Sequence, residues 1–338
     1  MVKRLRNQTL RRKTTRNNFL EFFWHVLQAP ALKQGRGLCL FCRSSNNNAI
    51  LVSMDITNAA GGKEEFLVEK FCSSLERSGA SKELTQKVCG QVESMLHPGM
   101  TTEDIVDKAM AILSKESPGI AASYNLKRGI MALGPAGFLF EHYIAAILHA
   151  YGYETKLNQM LKGRCVSHEI DIVAEKGVDH FLLEAKYHNN PGTKTDVTVA
   201  MYAYARLLDI TPEEKKAEHE YARHSMWLFT NAKFTTSATQ YGTCMGIKMT
   251  GWNYPKDRGE NLADLIKKKM LFPITALPSV NYFAREEFAR RNILLALDLR
   301  QYSEKDLTQQ FGLNHDQASR IAEEVRMLAE LESIFLKS

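Results

Sequence analysis

The sequence predicts an α+β or α/β multidomain protein, in which a small and mostly helical domain precedes a mixed sheet flanked by helices. Three observations support this fold class. Residues 54–133 hold a short strand pattern and then about four amphipathic segments. Residues 134–280 alternate in the order helix, three strands, helix, strand, helix, strand. Residues 281–338 return to amphipathic helices and form a short helical C-terminal region.

Residues 1–53 differ in composition and are predicted to be a basic, disordered leader. Residues 1–20 contain seven lysines and arginines and no acid, while the whole chain carries a net charge of +6. Subtracting those seven charges leaves −1 for the rest, so the basic balance does not indicate a nucleic-acid-binding body. Met54 directly precedes the first well-patterned segment, and it is an alternative start of the protein.

The six cysteines are scattered, and only Cys39 and Cys42 form a CxxC pair. A structural zinc site would need a second pair at suitable spacing. We therefore interpret all six as free thiols and predict a cytoplasmic protein. No apolar run reaches membrane-spanning length.

The helical domain begins with a strand candidate, MDITNAA, which leads into an amphipathic helix over 64–80 that ends near Gly79. Ser81 is placed as the N-cap of the next helix. Thr101 and Asp104 have capping-box spacing at the start of the third. A fourth helix covers 119–133.

The order of Gly61, EEF, EKFCSSLERSGAS, GMTTEDI and AASYNLKRGI resembles an ATP-cone domain, the nucleotide-binding regulatory module of ribonucleotide reductases and of a repressor of their genes. This resemblance implies ATP or dATP as a regulatory ligand. Lys63, Lys70 and Arg128 are then the candidate phosphate contacts. Asn58 stands where that family usually has a phosphate-binding Lys, so the alternative is a helical docking domain that has kept the fold and lost the ligand.

The next domain opens with FLFEHYIAAILHAYGYE, a predicted helix. Its Glu141 shares the apolar face with Ile144, Leu148 and Tyr151. A carboxylate on such a face is costly unless it is paired or binds a metal. A salt bridge at the helix end is the alternative.

Residues 169–175 and 180–187 predict a β-hairpin around Gly177. A turn of two or four residues places Glu175 opposite His180, Asp171 opposite Glu184 and Glu169 opposite Lys186. The predicted core face carries Ile170, Ile172, Ala174, Phe181, Leu183, Ala185 and Tyr187. Opposed carboxylates destabilise a strand pair, and a divalent cation would offset the repulsion. An exposed face with ordinary salt bridges is the alternative.

Glu141, SHEIDIVAE, LLEAKYH and LFTNAKFTTSATQY follow one another in the order of the PD-(D/E)xK nuclease superfamily, and the resemblance is closest to the Mrr-type restriction endonuclease domain. The resemblance implies Mg²⁺ or Mn²⁺ bound by Asp171 and Glu184 beside the Ala185 carbonyl, with Glu141 completing the acidic shell. Lys186 would orient or deprotonate the attacking water.

The same resemblance implies DNA contacts at a strand end that holds Thr230, Asn231 and Lys233, and at His188. His168 and His188 are alternatively structural histidines. In the C-terminal region, the Gly312 turn followed by NHDQASRIAEEV resembles a helix-turn-helix or helix–hairpin–helix module. The final helix is acidic, which favours protein interaction over base readout.

These features predict a restriction-type endodeoxyribonuclease, regulated by ATP or dATP, with DNA, nucleotide and a second copy of the chain as partners and with no membrane partner. The alternative is a non-catalytic nucleotide-sensing or DNA-binding protein on a nuclease fold. The complete set of Asp171, Glu184 and Lys186 favours the enzyme.

Overall fold

The computed structural model describes residues 54–57, 61–134, 137–190, 192–216, 223–256 and 259–335. The predicted leader, 1–53, and Asn58 lie outside these residues. In the part of the chain that is described, no helix is both long enough and apolar enough to cross a membrane.

The predicted helical domain starts with an antiparallel hairpin of β1 (Met54–Thr57) and β2 (Lys63–Phe66). Residues 64–66 pair with β1, so the first helix begins later than predicted. The helices are α1 Val68–Arg77, α2 Lys82–Ser94, α3 Thr102–Glu116, α4 Pro118–Tyr124 and α5 Leu126–Met131. The predicted fourth helix is therefore two helices that meet at Asn125.

The predicted caps of this domain are confirmed. The Ser81 hydroxyl accepts a hydrogen bond from the Leu84 N–H at 3.2 Å. Thr101 and Asp104 form a reciprocal capping box at the start of α3. Both bonds satisfy backbone N–H groups that a helix start leaves unpaired.

A disulfide joins Cys72 on α1 to Cys89 on α2, with the Cα atoms 5.9 Å apart. The interpretation of all cysteines as free thiols is therefore wrong for this pair. The two positions are 17 residues apart in sequence, and the antiparallel packing of α1 and α2 brings them together. Cys165 and Cys244 are free and exposed.

The second part of the fold is a five-stranded mixed sheet flanked by helices, as predicted. Its order is β3-β4-β5-β7-β9, in which the first two pairings are antiparallel and the last two parallel. The strands are β3 Glu154–Lys162, β4 Ser167–Lys176, β5 Asp179–Lys186, β7 Arg223–Thr230 and β9 Lys248–Thr250. Two short strands, β6 Lys194–Thr195 and β8 Lys233–Phe234, form a separate parallel pair. The helices are α6 Phe138–Ala150, α7 Val197–Lys216 and α8 Thr236–Cys244.

Each face of this sheet is buried in a different apolar cluster. One cluster contains α6 and the side chains of Ile172, Ala174, Leu183 and Ala185, which confirms much of the predicted core face. Ile170 was predicted on that face, but it lies in the opposite cluster, with Val173, Leu182 and the helix α7. The prediction assumed a regular strand, whereas the pairing of β3 with β4 is interrupted between these positions, at Asn158 and Asp171.

The chain that follows β9 packs against the α6 face, and it includes the predicted C-terminal region, 281–338. Its helices are α9 Leu262–Lys268, α10 Tyr282–Arg290, α11 Glu304–Phe311 and α12 His315–Phe335, with 3-10 helices at Ile274–Ala276 and Ala296–Gln301. Gly312 ends α11 in the left-handed conformation (φ 68°). Phe288, Phe311 and Leu328 lie in the same cluster as Phe140 of α6, so these helices are part of the main core.

Candidate active site

Asp171 lies where the strand pairing of β4 is interrupted on both sides. Toward β5, the predicted hairpin register is confirmed at Glu175 and His180, around a two-residue turn. The paired positions end at Ile172 and Leu183, and the Asp171 carboxylate then accepts the backbone N–H of Ala185 at 2.7 Å. Asp171 and Glu184 are therefore not regular cross-strand partners.

On the β3 side, Asn158 faces the same position with a φ of 51° and is not among the paired residues. A left-handed residue within a strand interrupts its ladder. The hydrogen bond from the Ala185 backbone N–H thus fixes the Asp171 carboxylate at a point where the sheet has no ladder pairing, an opening in the sheet.

Glu141 reaches this opening from the first turn of α6. Its pKa is raised to about 7, first by burial and then by the negative charges of Asp171, Glu184 and Glu169. The Glu141 carboxylate lies against Gly137, because a Cβ added at that glycine would be 3.5 Å from Glu141 Oε1. The three carboxylates that were predicted to form one site therefore lie near enough for their charges to interact.

Burial is also the main cause that raises the pKa values of Asp171 and Glu184. The hydrogen bond from Ala185 opposes this shift at Asp171. At Glu184, the charge of Asp171 raises the pKa further, whereas Arg206 lowers it. The site holds more negative charge than its own cations balance.

Arg206, on α7, is a site residue that sequence reasoning missed. It is only 6% exposed, and its Nη1 donates to Glu184 Oε2. Its Nε is buried and makes no hydrogen bond within the described residues. A signal was present in the sequence, because Arg206 follows Ala200 and Ala203 on the face of α7 that the helical period assigns to the core.

Lys186 is exposed at the end of β5, and its strand partner is Thr230 on β7. Its charge lowers the pKa values of both Asp171 and Glu184. Among the described residues it makes no ion pair with Glu169, the partner that the predicted register offered. The ammonium is left available to a ligand at the edge of the carboxylate cluster.

The described residues contain no group of three His, Cys, Asp or Glu side chains arranged as a ready-made metal site. Asp171 and Glu184 each keep one carboxylate oxygen that makes no hydrogen bond to a described residue. Two half-buried carboxylates with raised pKa values and oxygen donors suit a hard divalent cation. The donor chemistry therefore fits Mg²⁺ or Mn²⁺, held by two protein carboxylates and completed by water.

The residues predicted to contact DNA form a connected wall beside Lys186. The Asn231 carboxamide makes two hydrogen bonds with the backbone of His188. Its Oδ1 accepts from the His188 N–H and its Nδ2 donates to the His188 carbonyl, both at 2.9 Å. His188 Nε2 lies 2.8 Å from Thr195 Oγ1, which donates to Thr230 Oγ1 at 2.9 Å. Asn231 thus positions His188, while Lys233 remains exposed.

His168 does not share the contacts of His188 and Asn231. Its Nε2 lies 2.9 Å from Asp209 Oδ2 on α7. The same carboxylate accepts the backbone N–H groups of Cys165 and Val166, and its pKa is lowered mainly by His168. These contacts favour the alternative in which His168 is a structural histidine.

The predicted nucleotide contacts lie on three elements of the helical domain. Lys63 on β2 and Lys70 on α1 are exposed. Arg128 on α5 pairs with Asp107 at 2.7 Å and with Glu103 at 3.5 Å. A phosphate at Arg128 would have to compete with two acids that already balance its charge.

No family model matches the chain. An uncharacterized protein of Archaeoglobus fulgidus is 36% identical over 183 residues, which make up 54% of this chain and 98% of that protein. A crystal structure of a protein of unknown function is 32% identical, and the match covers 60% of this chain and 100% of that one with a TM-score of 0.47. Neither description states an activity.

Proposed function

This chain belongs to the same family as the uncharacterized Archaeoglobus fulgidus protein, and we propose that it is a metal-dependent endodeoxyribonuclease that hydrolyses phosphodiester bonds. One observation carries the proposal. The carboxylates of Glu141 on α6, Asp171 on β4 and Glu184 on β5 interact near the end of β5 that carries the exposed Lys186, and burial together with the charges of the neighbouring acids raises the pKa of Glu141 to about 7. Such an unbalanced acidic cluster costs stability unless it serves a ligand.

Asp171 and Glu184 would hold the cation. Bound Mg²⁺ or Mn²⁺ would supply stabilisation of charge on the scissile phosphate and a more acidic water. The hydrogen bond from Ala185 fixes one oxygen of Asp171, and Arg206 fixes one oxygen of Glu184. Lys186 would orient the attacking water and contact a phosphate oxygen from the rim.

The direct test is cleavage of plasmid and linear DNA with Mg²⁺ or Mn²⁺, combined with calorimetry of cation binding. Asp171→Asn keeps a side-chain acceptor for Ala185 but removes the charge, so it should abolish cleavage and weaken cation binding. Lys186→Ala should keep cation binding and slow cleavage by about 10²–10⁴-fold.

Lys82→Ala, at an exposed position of α2, is the matched control and should cleave like the wild type. Wild-type rates in both Asp171→Asn and Lys186→Ala would reject Asp171 and Lys186 as the residues that carry the cleavage. DNA binding without any cleavage by the wild type would support the non-catalytic alternative, in which Arg206 permanently neutralises Glu184.

Control by ATP or dATP stays a prediction from the resemblance of the helical domain. It requires nucleotide binding that Lys70→Gln and Arg128→Gln weaken. Equilibrium dialysis with labelled ATP and dATP measures this without any cleavage reaction. Equal binding by the wild type and both variants would remove Lys70 and Arg128 as phosphate contacts.

A further inference from the structure

Three lysines from different elements line one small cavity next to the candidate active site. Lys127 lies on α5, Lys194 on β6 and Lys233 on β8. Lys194 and Lys233 are direct partners in the parallel β6–β8 pair, and directly opposed like charges are unfavourable. None of the described lining residues is acidic, and none of the three lysines forms an ion pair with a described residue.

The electrostatics of Lys127 agree with this crowding. Its pKa is lowered first by partial burial and then by the charge of Lys233. Its Nζ lies 5.9 Å from the ring centroid of Trp252, which also lines the cavity. An anion between the lysines would relieve the repulsion that the folded protein now bears.

Hydrogen bonds fix the residues that form one wall of the cavity. His188 and Asn231 line it, and their two backbone–carboxamide hydrogen bonds fix them to each other. The buried Thr195 and Thr230 hydroxyls support His188 from behind. His188 follows Lys186 by two residues, and Asn231 directly follows Thr230, the strand partner of Lys186. The cavity therefore adjoins the end of β5 that carries the proposed catalytic lysine.

The volume of the cavity indicates the size of the ligand that it can hold. Its volume is ≈150 Å³, whereas pockets for drug-sized ligands usually measure about 300–1,000 Å³. It accommodates a phosphate group better than a whole nucleotide. Lys194 and Lys233 also line an adjoining groove of ≈1110 Å³, so a ligand can continue beyond the phosphate, as a polymer backbone does.

We propose that Lys127, Lys194 and Lys233 form a phosphate pocket that binds one backbone phosphate of the DNA substrate, within a few nucleotides of the cleavage site. The inference deepens the proposed function and rests on it for the identity of the substrate. Because Lys127 belongs to the helical domain, that domain would contribute directly to DNA binding.

The test uses fluorescence anisotropy of a labelled DNA duplex with the full chain, in EDTA and over a range of NaCl concentrations. Lys127→Gln, Lys194→Gln and Lys233→Gln should each weaken binding about tenfold. If all three serve one phosphate, the triple variant should lower the slope of log K against log[NaCl] by about 0.9, and not by roughly three times that amount. Lys82→Gln should match the wild type.

Two further arms separate the sources of phosphate. Inorganic phosphate, compared with chloride at equal ionic strength, should raise the melting temperature of the wild type more than that of the triple variant. ATP binding should be the same in both proteins. Loss of ATP binding with unchanged DNA binding would overturn the proposal, as would wild-type DNA affinity and salt slope in the triple variant.

The outcomes also distinguish this inference from the nuclease proposal. A wild type that binds DNA through the three lysines but never cleaves it would leave the pocket in place and reject the nuclease. A wild type that cleaves DNA, with a triple variant that binds and cleaves equally well, would reject the pocket alone.

Discussion

At the scale of single residues, the candidate site depends on how buried charges are balanced. Arg206 places its guanidinium 5.2 Å from the Tyr202 ring centroid and donates to Glu184. Its Nε has no hydrogen-bond partner among the described residues. A buried pair of this kind contributes less through its own attraction than through the cost of leaving either charge alone.

Arg206→Met should therefore destabilise the metal-free protein by on the order of 3 kcal/mol, because Glu184 loses its counter-charge in a buried site. Urea unfolding measures the change. The double variant Arg206→Met/Glu184→Gln should recover most of the loss, since no unpaired charge remains. Additive losses in the double variant would show that the two side chains are not coupled.

Glu141 gives the site a predictable pH dependence. Its folded-state pKa of about 7 lies above the ordinary value of 4.5, so the folded protein binds more protons than the unfolded chain between these values. Stability must then fall as pH rises through this window, and the penalty is complete above pH 7.

In EDTA, the wild type should thus lose more unfolding free energy between about pH 5 and pH 7.5 than Glu141→Gln, which cannot ionise. The difference between the two proteins isolates Glu141 from the raised pKa values of Asp171 and Glu184. Urea unfolding at both pH values is the measurement. Equal losses would place Glu141 outside the acidic cluster.

At the scale of elements, α5 contacts the 3-10 helix Ile274–Ala276 almost backbone to backbone. A Cβ at Gly129 would lie 2.7 Å from both the Cα and the N of Ala276. The Thr275 hydroxyl donates to the Gly129 carbonyl at 2.6 Å, and Asn125 Nδ2 donates to the Ala276 carbonyl at 3.0 Å. This contact joins the helical domain to the main core.

Gly129→Ala should accordingly destabilise the protein by about 1–3 kcal/mol, because backbone atoms cannot yield to the new methyl group. Gly90→Ala on α2 is the matched control. Nothing lies within 4 Å of its added Cβ, and alanine in a helix should raise stability by about 0.5–1 kcal/mol. Thermal unfolding of both variants checks the opposite signs, and a stabilised Gly129→Ala would contradict the close contact.

At the scale of the whole molecule, the described residues between 54 and 335 belong to one compact unit. The larger core includes Ala122 and Leu126 from the helical domain and Leu328 from α12. Leu331, also on α12, packs against both this core and the core of the helical domain. The last helix therefore connects parts of the chain that the sequence suggested were successive domains.

Leu328→Ala should destabilise the whole unit by about 2–5 kcal/mol through a buried cavity. In a Trp24→Phe background, unfolding followed by the fluorescence of the two remaining tryptophans, Trp227 and Trp252 near the sheet, should coincide with unfolding followed by circular dichroism. Leu208→Ala, at a position that is 57% exposed, should change stability by less than about 0.5 kcal/mol. Two separate transitions would contradict a single cooperative unit.

Features that depend on neighbours in sequence were predictable. The N-cap at Ser81, the capping box at Thr101 and Asp104, and the pairing of Glu175 with His180 all agree with the structure. Capping bonds span three residues and a hairpin turn spans two, so the residues that decide them are visible in one short stretch. The order of helices and strands follows in the same way from hydrophobic periodicity.

Tertiary structure alone decided the rest. Ile170 lies on the other face of the sheet from Ile172, across the interruption of the β3–β4 pairing at Asn158 and Asp171, and α7 brings Arg206 to Glu184 from 22 residues away in sequence. Packing of α5 against the sheet domain places Lys127 beside Lys233, more than one hundred residues later. Local rules could not predict these contacts, because each depends on which buried surfaces fit together and on the charges that this packing brings into contact.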